Sequence, residues 1–168
     1  MQPQYVMTRL ALTLALTLSF FGGAPAARAE ESSDVLLELV PTEGPAIDLT
    51  RAQLEALPQV SFETKTGWTE GSALYSGPRL SEVLALAGLQ GKPVEATAAN
   101  DYKVVLTPDL IGPDYPIVAL KINDKPFNLR ELGPLWVIYP YDSSADFRSE
   151  KVFSASIWQV VRFAPAKD

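Results

Sequence analysis

Six consecutive residues, "LWVIYP" from Leu135 to Pro140, contain no charged side chain. A strand with one wet face alternates apolar and polar residues. An unbroken apolar run of this length implies a strand covered on both faces. Whatever this chain folds into must therefore place material on either side of that segment.

The rest of the sequence falls into short pieces that suit such an arrangement. "VLLELV", Val35 to Val40, reads as a first strand. In "AIDLTRAQLEALP", Thr50 can cap a short helix and Gln53 completes a capping box, with Leu49 and Leu54 at hydrophobic-staple positions and Pro58 marking the end. "QVSFETKT", Gln59 to Thr66, turns Val60, Phe62 and Thr64 to one face, the pattern of a half-buried strand. "GWTEG" is a loop and "ALYSGP" a short returning strand and turn. "RLSEVLALAGLQG" is the strongest helix pattern, with Leu80, Val83, Leu84 and Ala87 on one face and Gly88 at the left-handed end position. "KPVEATAANDYKVVLTP" reads as strand, Asn-Asp turn, strand, and "YPIVALKINDKPFNL" as a hairpin about Asn123-Asp124. After a polar turn from Asp142 to Lys151, "SIWQVVRF" alternates as a final strand, with Trp158, Val160 and Arg162 opposing Ile157, Gln159, Val161 and Phe163. Strands outnumber helices, so the expected class is α+β, mostly β, in one domain.

Residues 1–29 stand apart. Arg9 precedes the apolar run "LALTLALTLSFF", and Ala27-Arg28-Ala29 has the small-x-small form of a signal-peptidase site. The run is short for a membrane span, so residues 1–29 read as a signal peptide and 30–168 as the mature domain, with a retained N-terminal anchor as the other reading. Cleavage would remove two arginines and no acid, taking the net charge from −6 to −8. A periplasmic or secreted soluble domain follows, without a membrane span. Its acidity and lack of basic clusters argue against nucleic acid or anionic lipid as partner.

The chain has no cysteine and no histidine. That removes disulfides, thiol catalysis, thiolate metal sites and the Ser-His-Asp triad. Carboxylates at Asp101, Asp109, Asp114, Asp124, Asp142, Asp146 and Glu150 cluster near predicted turns. Two of them could run acid-pair hydrolysis, whereas turn acids commonly hydrogen-bond local backbone and face water. "DSSADFRSE" is rich in oxygen donors but lacks the glycine of a calcium-binding EF-hand loop and carries Arg148. Among the aromatics, Trp136 and Trp158 read as core. Tyr139 and Tyr141 straddle Pro140, which would turn one of them to solvent. Trp68, in a loop between glycines, is the least core-like.

The order of these pieces resembles the molybdopterin-binding domain of the sulfite oxidase family. The pattern falls on Gly77, Leu80, Val83 and Leu84, then Asp101 and Tyr102, then Gly133, Pro134, Val137 and Pro140, within a match from Val60 to Phe163. "TKTGWTEG", "NDY" and "GPLWVIYPYD" are similar to a small stand-alone exported subgroup labelled as oxidoreductases. The resemblance implies that family's mostly β fold, with mixed sheets and a few short helices. It also implies a molybdenum-ligating cysteine near "SFETKTGW", where this chain has Thr64, Lys65 and Thr66, and a pterin-phosphate grip of Arg, Lys and His, for which this chain offers no His and only Arg79, Arg130, Arg148 and a few lysines.

A threonine hydroxyl is a hard, protonated oxygen and does not replace a soft thiolate. The expectation is a scaffold without its cofactor and without a catalytic group or metal ligand. Its groove would bind a small anion or a periplasmic protein through Trp68, Asn100, Asp101, Tyr102, Arg130, Trp136, Tyr139, Tyr141, Asp142 and Arg148. An arginine beside aromatics could grip a carboxylate from two sides. An active molybdopterin-dependent oxidoreductase and an acid-pair hydrolase are the alternatives.

Overall fold

A computed structural model describes residues 34–127 and 132–167. The leader and Arg130 lie outside the described residues. The chain opens with β1 (Val35–Leu39) and β2 (Ile47–Thr50), followed by α1 (Arg51–Glu55). Thr50 accepts a hydrogen bond from the Gln53 backbone N–H and the Gln53 side chain reaches back to the Thr50 N–H at 2.8 Å, so both halves of the capping box form. Such a cap stabilises a helix of this length by about 1 kcal/mol. Leu49 and Leu54 are both buried.

Next come β3 (Gln59–Lys65), β4 (Ser72–Pro78), α2 (Leu80–Ala85), β5 (Val94–Ala98) and β6 (Lys103–Leu106). Then follow β7 (Ile117–Ala119), β8 (Lys121–Ile122), β9 (Lys125–Pro126), β10 (Trp136–Ile138), α3 (Glu150–Ala155) and β11 (Val160–Pro165). The first sheet has the order β2-β1-β11-β5-β6, with β1 and β11 parallel and the other neighbours antiparallel. A second, antiparallel sheet has the order β3-β4-β8-β9, and β10 pairs with β7 in a third. The class is therefore α+β, mostly β, with mixed sheets and short helices.

The uninterrupted apolar run behaves as its composition demands. Leu135 through Ile138 are fully buried, and Tyr139 nearly so. The segment Ile117–Ile122 serves two sheets: its first half pairs with β10 and its second half with β4. Gly77 makes this crossing possible. A methyl group there would lie 2.0 Å from the Val118 carbonyl oxygen, so only a residue without Cβ lets β4 approach β7 so closely.

Three expectations are corrected. The predicted turn Asp142–Lys151 contains a short 3-10 helix (Ala145–Arg148) and the start of α3, because Ser149 caps the latter by accepting from Val152 N–H. The final strand begins only at Val160, since Gln159 is left-handed (φ 52°) and breaks the extended run. A register shift between Val160 and Arg162 then places Val160 and Phe163 together in the core, against simple alternation. The predicted hairpin about Asn123-Asp124 forms with both residues left-handed, but it involves only β8 and β9. The segment before it departs to another sheet.

Candidate functional site

Two features sit near one another, and the sequence does not separate them. The first is a closed corner where β3 ends. Thr64 is fully buried, and its Oγ1 accepts from the Asp142 backbone N–H at 3.1 Å. The Asp142 carboxylate in turn accepts from the Lys65 backbone N–H at 2.7 Å and from the Thr64 hydroxyl at 3.4 Å. Asp142, expected at a ligand-facing rim, is exposed but ties the turn after β10 to β3. Thr64 is one of the three residues standing where the resemblance places a metal-ligating cysteine. Its hydroxyl is saturated by protein partners and chemically hard. Among the described residues no group of three His, Cys, Asp or Glu could hold a metal ion. The donor set does not fit a soft metal centre.

The second feature is an open aromatic cleft of about 360 Å³. The loop after β3 supplies Trp68. Thr66 Oγ1 accepts from both Trp68 N–H (3.1 Å) and Thr69 N–H (3.0 Å), which folds the loop over itself. The Thr66 and Thr69 hydroxyls are 2.8 Å apart, and Thr69 Oγ1 lies 3.1 Å from the phenol of buried Tyr75. Burial raises the Tyr75 pKa, and its bonds to Thr69 and Thr66 pull the other way. The loop is thus anchored to the core by a chain of hydroxyls while Trp68 itself stays 37 % exposed.

The β5–β6 turn supplies Asn100 and Tyr102. Asp101 takes the left-handed conformation (φ 65°), and Asn100 Oδ1 accepts from Tyr102 N–H at 3.1 Å. From α3 and the residues following it come Phe153, Ser154, Ser156, Ile157 and Trp158. Ser156 is buried and fully engaged: its hydroxyl accepts from Tyr141 Oη at 2.5 Å and donates to the Val152 carbonyl at 2.8 Å.

The aromatic rings are set around Trp68. Its centroid lies 5.6 Å from that of Trp158 at 58°, 6.1 Å from Phe153 at 73°, and 5.8 Å from buried Trp136 at 74°. Offset and edge-on contacts of this kind hold rings in place without stacking them flat.

The candidates identified from sequence are thereby divided. Trp68, Asn100 and Tyr102 line the cleft. Trp136 lies behind it, fully buried, with its indole N–H donating to the Ser156 carbonyl. Tyr141 is also behind it, and burial pushes its phenol up to about 12. Tyr139 donates to the Leu110 carbonyl and borders a separate cavity with Asp109, Tyr115 and Phe147; burial pushes its phenol up strongly too. Both tyrosines flanking Pro140 are buried, against the expectation that one would face water. The Tyr141 side is covered by Phe153 of α3 and by Ser156 just after it. Asp101 and Arg148 are exposed and do not line the cleft. Lys151, on α3 itself, bonds Asp109 and holds its carboxyl below the usual range.

Trp158, expected in the core, is only half-buried and forms a cleft wall. Its neighbour Gln159 turns left-handed and lifts it out of strand alternation. Phe153 and Ser154 were not anticipated. The Ser149 cap with Val152 and Ala155 one turn apart was the signal that would have placed them on a helix. Among the described residues, none lining the cleft is charged. Of the two arginines expected to grip an anion, Arg148 does not line the cleft, and Arg130 is outside the described residues.

No family model and no curated protein matches this chain. Among solved structures it is similar to the sulfane dehydrogenase SoxCD from Paracoccus pantotrophus, with a TM-score of 0.58 and 18 % sequence identity. The similarity covers 79 % of this chain and 38 % of that one, so the shared part is well under half of the larger protein. The relationship is a distant one of fold.

Proposed function

We propose that this chain is an exported binding module. It retains the scaffold of a molybdopterin-dependent oxidoreductase domain, has no resident cofactor or catalytic group, and holds a small ligand in the aromatic cleft. The observation that carries the reading is the cleft itself. Trp68, Tyr102, Phe153 and Trp158 expose ring surface around about 360 Å³, within the usual range of ligand sites. The closed Thr64–Asp142 corner supports the cofactor-free part, because the polar atoms there already serve one another. The signal-peptide pattern of residues 1–29 supports export.

Intrinsic tryptophan fluorescence and thermal shift against a set of small cations, anions and neutral compounds test the binding reading. A ligand that raises the melting temperature and perturbs emission in wild type but not in Trp68→Ala is the expected result. Silence across all three classes overturns it. Metal analysis of protein isolated from its own export compartment tests the other half: molybdenum near one per chain would restore the oxidoreductase alternative.

A further inference from the structure

The angles within the cleft restrict what kind of group can sit there. A flat ring binds best between parallel walls. Here the exposed rings meet as a corner: Phe153 and Trp158 stand at 73° and 58° to Trp68, with centroids 6.1 and 5.6 Å from it. Tyr102 adds a further wall from the β5–β6 turn. Rings tilted against one another around one volume offer no parallel slot, which suits a compact, nearly tetrahedral group better than a plate. Aromatic faces carry negative quadrupole charge and attract a cation within about 6 Å of the ring centre. No basic residue lines the cleft among the described residues to oppose that attraction, and the whole chain is acidic at −6.

Polar atoms at the rim are suited to a short tail. The Asn100 side chain spends its oxygen on Tyr102 N–H, and its amide Nδ2 has no hydrogen bond to a described residue. Ser154 likewise offers an exposed hydroxyl. A donor amide and a hydroxyl can receive a hydroxyl or carboxylate a few bonds from the cation.

We infer that the cleft takes a methylated ammonium group, of the kind carried by choline and betaine. The inference rests on the cleft being the binding site, and it names the class of ligand. A quaternary ammonium cannot donate hydrogen bonds and is weakly hydrated, so it gains from ring faces where a primary amine would lose more of its water.

The test compares isosteres by calorimetry and tryptophan fluorescence on the full mature chain. Tetramethylammonium and choline are titrated against 3,3-dimethylbutan-1-ol, the neutral analogue of choline, with sodium chloride as the ionic control. The expected result is binding of choline about tenfold or more tighter than the alcohol, the size of a desolvated cation–ring interaction. Phe153→Leu keeps apolar bulk and removes the ring. It should weaken choline severalfold with an unchanged melting temperature, and leave the weak alcohol binding as it was. Equal affinity for choline and the alcohol would overturn the cationic class while leaving the cleft as a site for apolar ligands. Wild-type choline affinity in Phe153→Leu would overturn it as well. Failure of choline alongside binding of another class in the wider screen would sink this inference alone; failure of every class would sink the site. Co-sedimentation with phosphatidylcholine vesicles separates the two sources of this headgroup. Retention on vesicles supports a lipid ligand, and binding to free choline without retention supports a soluble one.

Discussion

The Thr64–Asp142 corner and the aromatic cleft lie on neighbouring segments yet follow opposite rules. In the corner the Thr64 hydroxyl, the Lys65 and Asp142 backbone N–H groups and one Asp142 carboxylate oxygen serve one another: Thr64 and Lys65 bond Asp142 across 78 and 77 positions of sequence. In the cleft, ring faces and the Asn100 amide are turned to solvent. A polar group that is satisfied and buried contributes rigidity, and one left open near apolar surface is available to a ligand. The same loop joins the two, so a firm corner holds Trp68 in position over the open cleft.

The largest effect that would sharpen this contrast comes from the tryptophans. Trp136→Ala should cost about 3–5 kcal/mol in chemical denaturation, because it empties a fully buried site packed edge-on against Tyr75 and Trp68. Trp158→Ala should cost clearly less and abolish ligand binding, since its ring is half-exposed in the cleft. Equal destabilisation by both would mean that the cleft is merely core with a gap.

Thr64→Val comes next. It leaves the Asp142 N–H without its acceptor and should cost about 1–3 kcal/mol. Ligand affinity measured by fluorescence should stay within about twofold, on the scale where 1.4 kcal/mol is tenfold. A large loss of affinity would show the two regions to be one site.

High pH probes the shell behind the cleft. The Tyr141 phenol is raised from 10.0 to about 12 by burial, its bond to Ser156 acting the other way. A raised pKa means the folded state holds the proton more tightly. The associated stability is fully present below pH 10 and is lost as pH rises toward about 12. Tyrosinate absorbance should therefore appear together with loss of near-ultraviolet circular dichroism. An absorbance change missing from Tyr141→Phe but present in wild type near pH 10, with the fold intact, would contradict burial of the Tyr141 phenol. The smallest effect is at Arg148, exposed beyond the cleft. Arg148→Ala should change stability by no more than about 0.5 kcal/mol and leave binding unaltered.

Much of the framework was legible because its signals are local. The Thr50–Gln53 capping box, the apolar run at Leu135, the left-handed Asn123-Asp124 turn and the helical face of Leu80, Val83 and Leu84 each depend on residues a few positions apart. Trp68, Asn100 and Tyr102 were legible as residues grouped about one cleft for a related reason: Trp68 sits between glycines, and the other two flank a turn residue. Trp158 was misplaced because alternation assumes an unbroken strand, and the left-handed Gln159 ends that assumption one residue away. The burial of Tyr141 and the bonding of Asp142 were not legible because they come from α3 with Ser156 after it, and from β3, segments outside the local pattern.

The sequence by itself determined the strand-rich class, the absence of thiol and imidazole chemistry, and the need to bury Leu135–Tyr139 on both faces. These follow from residue type and short-range periodicity, which no packing arrangement can alter. Only the tertiary structure decided that Thr64 and Asp142 satisfy one another and that four aromatic rings from three separate segments surround an open volume. Hydrogen bonds and ring contacts between distant segments depend on where the sheets bring them, and one positive φ angle at Gln159 was enough to move a tryptophan from core to cleft wall.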